Sequence, residues 1–210
     1  MTDIRTETDS LGEVGVPADR MDDAVTALGE AYGSIAWNQI VPGTVAQINF
    51  EARDKHYKNS GLFPINAEQT GVEMLGRGQI TQAITDQLAA LVSGTFAKDN
   101  AGFASQAYHY YDYTLGLSYS YDSPLKLTEL PWTFTATATR AFYVYDQPDP
   151  SVDPNDTRFD RDWRFAFVNN VPLSDDWTVV TTIGRTIRQS TISNFKYNDN
   201  YASIAVGWRF

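Results

Sequence analysis

The sequence predicts an all-β fold, an up-and-down antiparallel transmembrane β-barrel of about eight strands behind a non-barrel N-terminal leader. Three observations carry that expectation. The first is alternation: the run 201–210 sets Ala202, Ile204, Val206, Trp208 and Phe210 on one side and Tyr201, Ser203, Gly207 and Arg209 on the other, which is the period of a half-buried strand. The pattern recurs in 111–121 and 132–144. The second is length, since the candidate strands run 12 to 14 residues, whereas strands of soluble proteins usually have about 5 to 6 and tilted bilayer-spanning strands about 9 to 11. The third is that connectors alternate between short turns and longer polar loops, as in an up-and-down barrel with an even strand count.

Taken in order, strand 44–57 sets Ile48 and Phe50 against Glu51, Arg53 and Lys55, and 72–84 sets Met74 and Ile80 against Glu73 and Arg77. Strand 87–98 presents Leu88, Val92 and Phe96, and 109–121 sets Tyr113, Leu115, Leu117, Tyr119 and Tyr121 against Asp112. Strand 132–145 sets Trp132, Phe134 and Phe142 against Thr133, Thr135, Thr137 and Thr139. In 158–170, Trp163, Phe165 and Phe167 oppose Asp160, Asp162 and Arg164, and in 177–188, Trp177, Val179 and Ile183 oppose Arg188. The last, 199–210, sets Ile204, Val206, Trp208 and Phe210 against Asp199 and Arg209. Connectors 85–86, 122–131 and 171–176 are the turns, and 60–71, 99–108, 146–157 and 189–198 the loops. Residues 84–121 lie on 173–210 without a gap, pairing Asp86 with Asp175, Leu88 with Trp177 and Tyr119 with Trp208. A turn, strand, loop, strand unit is used twice.

Composition conceals this architecture. The chain has 210 residues, 42% of them hydrophobic, and resembles one ordinary domain. No window approaches the roughly 18 unbroken apolar residues of a membrane helix, which excludes helical spans only. A net charge of −10 argues against a nucleic-acid partner, because neutralising phosphates takes clustered Lys and Arg. The absence of cysteine excludes a disulfide scaffold and a thiolate zinc site. No cofactor and no metal are expected; the acidic stretch 153–156 lacks the ordered spacing of a calcium loop. The opening heptapeptide has neither a basic n-region nor an apolar h-region, so export would use a signal peptide outside this sequence.

Ahead of the barrel, assigned to 44–210, lie two further segments. In 21–43, Met21, Val25, Leu28 and Tyr32 fall at helical spacing behind Asp22 and Asp23, which predicts a short helix or an irregular lead-in. A second reading makes 34–40, before Pro42 and Gly43, the incoming arm of a hairpin and a ninth strand. Residues 1–20 are expected to be a disordered leader.

The closing hairpin, with 173–177 as its tight turn and an alternating strand ending on Phe210, resembles the C-terminal hairpin of Gram-negative outer-membrane β-barrel proteins. That resemblance covers about 44–210. It implies an integral outer-membrane location with the C-terminus periplasmic and the longer loops facing outward. It also implies an assembly signal at Val206, Trp208 and Phe210 for the barrel assembly machinery. Separately, 3–20 is similar to the N-terminal segment of class II fumarases. The family's continuing Trp-Gly-Ala-Gln-Thr stretch and its Gly-Ser-Ser-x-Met-Pro-x-Lys loop are absent, so no catalytic residue is carried over.

Face assignment then places the candidate sites. Trp132, Trp177, Trp208, Tyr121 and Phe210 gather at the turn end as an aromatic girdle at a membrane interface. A soluble lipocalin-like barrel would invert the pattern, and a soluble β-sandwich burying these faces is the bland alternative. Glu51, Arg53, Glu73, Arg77, Asp112, Asp160, Asp162, Arg164 and Arg209, with Lys55 and Arg188, face inward. The interior of an eight-stranded barrel holds only side chains, so opposite charges there must pair, closing the lumen. Arg140, Arg161 and Arg185 fall on the lipid side. Arg140 and Arg185 lie eight residues beyond Trp132 and Trp177, about 20 Å up a tilted wall, which makes the three a candidate lipopolysaccharide phosphate site.

The expected function is structural, adhesive or loop-mediated binding without catalysis, with outer-membrane lipid, lipopolysaccharide and the assembly machinery as partners. One alternative is a lipid A modifying enzyme, on the strength of His56 and His109 at the loop end near Ser105 and Asp112. The other is the C-terminal part of a larger porin or translocator barrel.

Overall fold

The computed structural model describes residues 4–9, 12–17, 25–38, 41–57, 70–126 and 128–208. They form eleven strands: β1 (Ile4–Asp9), β2 (Gly12–Pro17), β3 (Val25–Asn38), β4 (Thr44–Tyr57), β5 (Gly71–Ala83), β6 (Leu88–Ala101), β7 (Tyr108–Tyr121), β8 (Trp132–Tyr145), β9 (Phe159–Pro172), β10 (Trp177–Ser190) and β11 (Tyr197–Trp208). Strands β3 to β11 make one sheet in sequence order, every neighbouring pair antiparallel. The all-β, up-and-down architecture and the positions of the eight expected strands agree with the sequence. From β4 to β10 each strand has 13 or 14 residues.

Turn chemistry fixes the register at one end. Gly43 takes a φ of 75°, a left-handed conformation that glycine adopts at no steric cost, and Thr44 N donates to Val41 O at 2.8 Å to close the β3–β4 hairpin. Between β5 and β6, Thr85 Oγ1 accepts from the backbone N–H groups of Gln87 and Leu88 at 3.2 and 3.0 Å. Ser174 Oγ does the same for Asp176 and Trp177 at 3.3 and 3.1 Å. The internal repeat is therefore structural, and one offset carries Thr85 to Ser174, Leu88 to Trp177 and Tyr119 to Trp208. Leu88 pairs with Tyr119 as Trp177 pairs with Trp208.

The described N-terminal segments are also strands. Of the two readings of 21–43, the structure has the strand of the second: Val25–Asn38 pairs along β4, with a register shift between Val25 and Ala27. The spacing of Leu28 and Tyr32 is four, which satisfies a two-residue period as well as a 3.6-residue one, and pairing with β4 through the tight Gly43 turn decides between them. In place of a disordered leader, β1 and β2 form a two-stranded hairpin pairing Ile4 with Pro17 and Asp9 with Gly12.

Polarity across the large sheet is opposite to that of a soluble layer. One register row crosses it through Asn49, Arg77, Thr95, Asp112, Ala141, Asp162, Arg188 and Tyr197. On that face Asp160 and Asp162 are 0% exposed, and Ser93, Ala97, Asp99, Asp112 and Ala141 are also buried. The opposite face exposes Phe50, Met74, Ile80, Val92, Phe96, Leu117, Phe165 and Phe167, with Leu115 at 64% and Ile204 at 75%. No second sheet among the described residues covers it. That sheet is open: β3 and β11 are its edges, and every residue of β11 is exposed on both faces. Even there packing is specific, because the Tyr201 ring lies across Gly184, where an added Cβ would meet it at 2.2 Å.

Candidate functional site

The buried polar face carries two ion-pair clusters, both in the half of the sheet nearer the long loops. In the first, Lys55 reaches past β5 to Asp99 Oδ2 at 2.6 Å and approaches Glu73 Oε2 at 3.9 Å. Arg53 contacts Glu51 and lies 3.7 Å from Glu73. In the second, Arg188 donates through Nε and Nη2 to both oxygens of Asp162 at 2.7 Å, and Arg164 Nη2 donates to Asp162 Oδ2 at 2.8 Å. Asp160 accepts from Arg158 at 2.9 and 2.6 Å and lies 3.5 Å from Arg188. Two-pronged guanidinium–carboxylate contacts of this kind combine strength with a fixed geometry.

Tyrosines connect the clusters. Tyr108 donates to Glu73 at 3.3 Å, Tyr110 donates to Asp112, and Arg164 donates to the hydroxyls of Tyr110 and Tyr143. The Tyr143 ring lies 5.7 Å from that of Tyr108 and 4.7 Å from that of Tyr110. Above them the short 3-10 turn Ser193–Phe195 sets the Phe195 ring 3.5 Å from the Arg158 guanidinium carbon, a cation–π contact that ties a loop to the network. Nearer the turn end, the same face narrows to a hydroxyl ladder between β7 and β8. Thr114 meets Thr139 at 2.7 Å and Ser118 meets Thr135 at 3.1 Å.

The structure thus brings together Glu51, Arg53 and Glu73 in one cluster and Asp160, Asp162 and Arg164 in the other, with Asp112 joined through Tyr110. Arg77 stands apart, donating to Gln79 at 3.3 Å, and Arg209 lies outside the described residues. Asp99, Arg158 and the tyrosine bridge are additional. Arg158 shares its parity with Asp160, Asp162 and Arg164, and Tyr110 with Asp112, so that part of the signal was present in the sequence. Asp99 was hidden because β6 runs three residues past the expected strand end.

On the apolar face, Tyr121 pairs with Trp132 and Trp177 with Trp208 at the turn end, with ring separations of 6.0 Å in both pairs. Val206 lies on the same face of β11, while Phe210 lies outside the described residues. Toward the loop end, Arg140 sits between Phe142 and Trp163, 5.1 and 5.0 Å from the ring centres. Arg161 pairs in register with Phe142 and lies over Phe159 at 5.7 Å. Arg185 donates to Asn198 at 3.0 Å.

No family model, curated protein or solved structure matches this chain. Its site must be read from its own residues.

Each loop-end histidine lies beside an aspartate. His109 Nδ1 lies 3.2 Å from Asp146 Oδ1 and His56 Nε2 3.1 Å from Asp54. His109 and Asp112 are three apart on β7 and so project from opposite faces, and Asp112 is already engaged by Tyr110. Ser105 is buried, and its hydroxyl has no partner among the described residues. Among those residues no three acidic or histidine side chains converge as metal ligands. In the loop 146–158, Asp149 and Asp153 cap turns, accepting from Ser151 N at 2.9 Å and Asn155 N at 3.0 Å.

Proposed function

We propose that this chain is an integral β-barrel protein of a bacterial outer membrane, with a structural, adhesive or loop-mediated binding role and a lumen closed by the paired charges. The observation that carries this reading is the polarity of the sheet. Its large apolar side chains are exposed over one whole face while aspartates are fully buried on the other, the arrangement that suits lipid outside and hydrogen-bonded side chains within. An exposed apolar expanse of this kind is rare on a soluble monomer. Closure of β4 on β11 would leave the barrel without a free edge. The aromatic pairs at the turn end would sit at the periplasmic interface, and Val206, Trp208 and Phe210 would be read by the assembly machinery. Protein refolded in detergent is expected to give a compact, fast-migrating band before boiling and a slower one after. Failure to refold in detergent, with good solubility in its absence, would refute the membrane reading.

A second reading, the C-terminal part of a larger porin or translocator barrel, is favoured by β3. Strands β4 and β11 run in opposite directions, so eight strands close with an antiparallel seam once β3 leaves the edge of β4 that it occupies here. Strands β3 and β11 run in the same direction, so nine would close only with a parallel one, whereas bacterial single-chain barrels have even counts. The sequence contains no cysteine, which permits a direct test. Ile48→Cys on β4 is combined in turn with cysteine at Asn200, Ala202, Ile204 or Val206 on β11. Eight-strand closure is expected to give an intramolecular disulfide in one combination, since bonding needs Cβ atoms about 3.5–4.5 Å apart. No disulfide in any combination, together with conductance in liposomes, would establish the larger barrel instead.

A further inference from the structure

We propose that the apolar face carries a binding site for one phosphate-bearing lipid, with its phosphate held by Arg140 and Arg161 and an acyl chain lying in the neighbouring groove that crosses β8. The site rests on the reading that this face meets lipid. The groove, about 610 Å³ in volume, crosses the strands from Ile80 on β5 past Val92 on β6 to Phe165 and Phe167 on β9. Its floor is Ala136 and Ala138, paired on one side with Leu117 and Leu115 and on the other with Phe167 and Phe165. Successive outward positions on β8 are therefore two small residues of the groove followed by Arg140, whose guanidinium belongs to the next outward position beyond the groove's lining on the loop side.

That guanidinium is held for a ligand. Stacking against Phe142 and Trp163 keeps it on the wall, and such contacts leave the in-plane N–H donors free. Among the described residues neither Arg140 nor Arg161 makes a hydrogen bond or ion pair. Arg161 occupies the adjacent strand two residues nearer the loops, since Phe142 is its partner. Strand spacing and rise put the two backbones about 8 Å apart, a separation that lets both side chains converge on one phosphate. Arginine forks match phosphate oxygens, and a bound anion would offset the cost of a lone arginine facing lipid. Arg185 is separate: it pairs with Phe165, two residues nearer the turn end, and already donates to Asn198. The three-arginine expectation thus narrows to two arginines and a groove.

The test titrates lipid A, the same lipid stripped of its phosphates, and inorganic phosphate into full-length protein refolded in maltoside micelles, with the thermal midpoint as readout. Lipid A is expected to raise the midpoint, and the other two to leave it unchanged. Arg140→Gln with Arg161→Gln should weaken lipid A binding by about tenfold or more, the scale of one or two charged hydrogen bonds. Ala138→Phe, which fills the groove while leaving both arginines, should weaken it several-fold, and Arg185→Gln should not change it. Equal shifts by lipid A and its dephosphorylated form, or an unchanged shift in the double variant, would overturn the site alone. A shift by inorganic phosphate alone would mean an anion site without a lipid. Protein that never yields a heat-modifiable band would remove the membrane reading and this site with it.

Discussion

Replacing Asp162 with leucine is expected to destabilise the folded protein by about 3–5 kcal/mol, the cost of leaving buried charge without its partner. Asp162 is 0% exposed and holds two guanidinium groups at once, Arg188 through both oxygens and Arg164 through one. Without it, Arg164 retains only tyrosine hydroxyls and Arg188 a 3.5 Å approach to Asp160. The loss should be largely recovered when Arg164→Met and Arg188→Met accompany Asp162→Leu, because well-packed apolar replacements of a buried ionic triad are often neutral or stabilising. Urea unfolding in micelles, followed by tryptophan fluorescence, measures both. The size of the loss also separates a closed lumen from a water-filled one. In an open, hydrated channel the same pair would be screened and worth no more than about 1 kcal/mol, so a small effect would argue for an ion path.

The strands were legible because a two-residue period is a local property of the chain. Trp132, Phe134 and Phe142 against Thr133, Thr135 and Thr139 needed no tertiary information to be assigned to two faces, and the register confirms those faces. The turn hydroxyls of Thr85 and Ser174 were equally local. Where two periods coincide, as at Leu28 and Tyr32, the chain alone did not choose, and hydrogen bonding to β4 did. Strand ends are the other weak point: polarity places Asp99 in a loop although β6 continues through Ala101, and this hides one member of the first ion-pair cluster. Pairings that skip a strand, such as Lys55 with Asp99 or Arg164 with Tyr110, depend on sheet register and side-chain reach rather than on spacing. So does the groove at Ala136 and Ala138, which exists only because Leu115, Leu117, Phe165 and Phe167 are brought to its sides.

Placing a charge at mid-wall gives the sharpest distinction between a sheet in lipid and a sheet in water. Leu115 is 64% exposed on the apolar face and pairs with Val92 and Ala138. It lies six residues above Tyr121 in the sequence, which at the rise and tilt of a barrel strand is about 15 Å, near the middle of a lipid-facing band about 25 Å tall. In a membrane, Leu115→Arg is expected to cost about 2–4 kcal/mol, because the guanidinium must be desolvated or reach a distant interface. Val144→Arg, on the same face but one residue from the end of β8, should cost no more than about 1 kcal/mol, since the penalty fades toward the interface. On a water-exposed sheet the two substitutions would be alike and within about 0.5 kcal/mol of neutral. If the face were instead buried against another protein layer, both would be strongly unfavourable and the depth dependence would vanish. Unfolding free energies of the two variants in lipid vesicles therefore report what covers this face: a large difference between them means bilayer, and its absence refutes the barrel's place in the membrane.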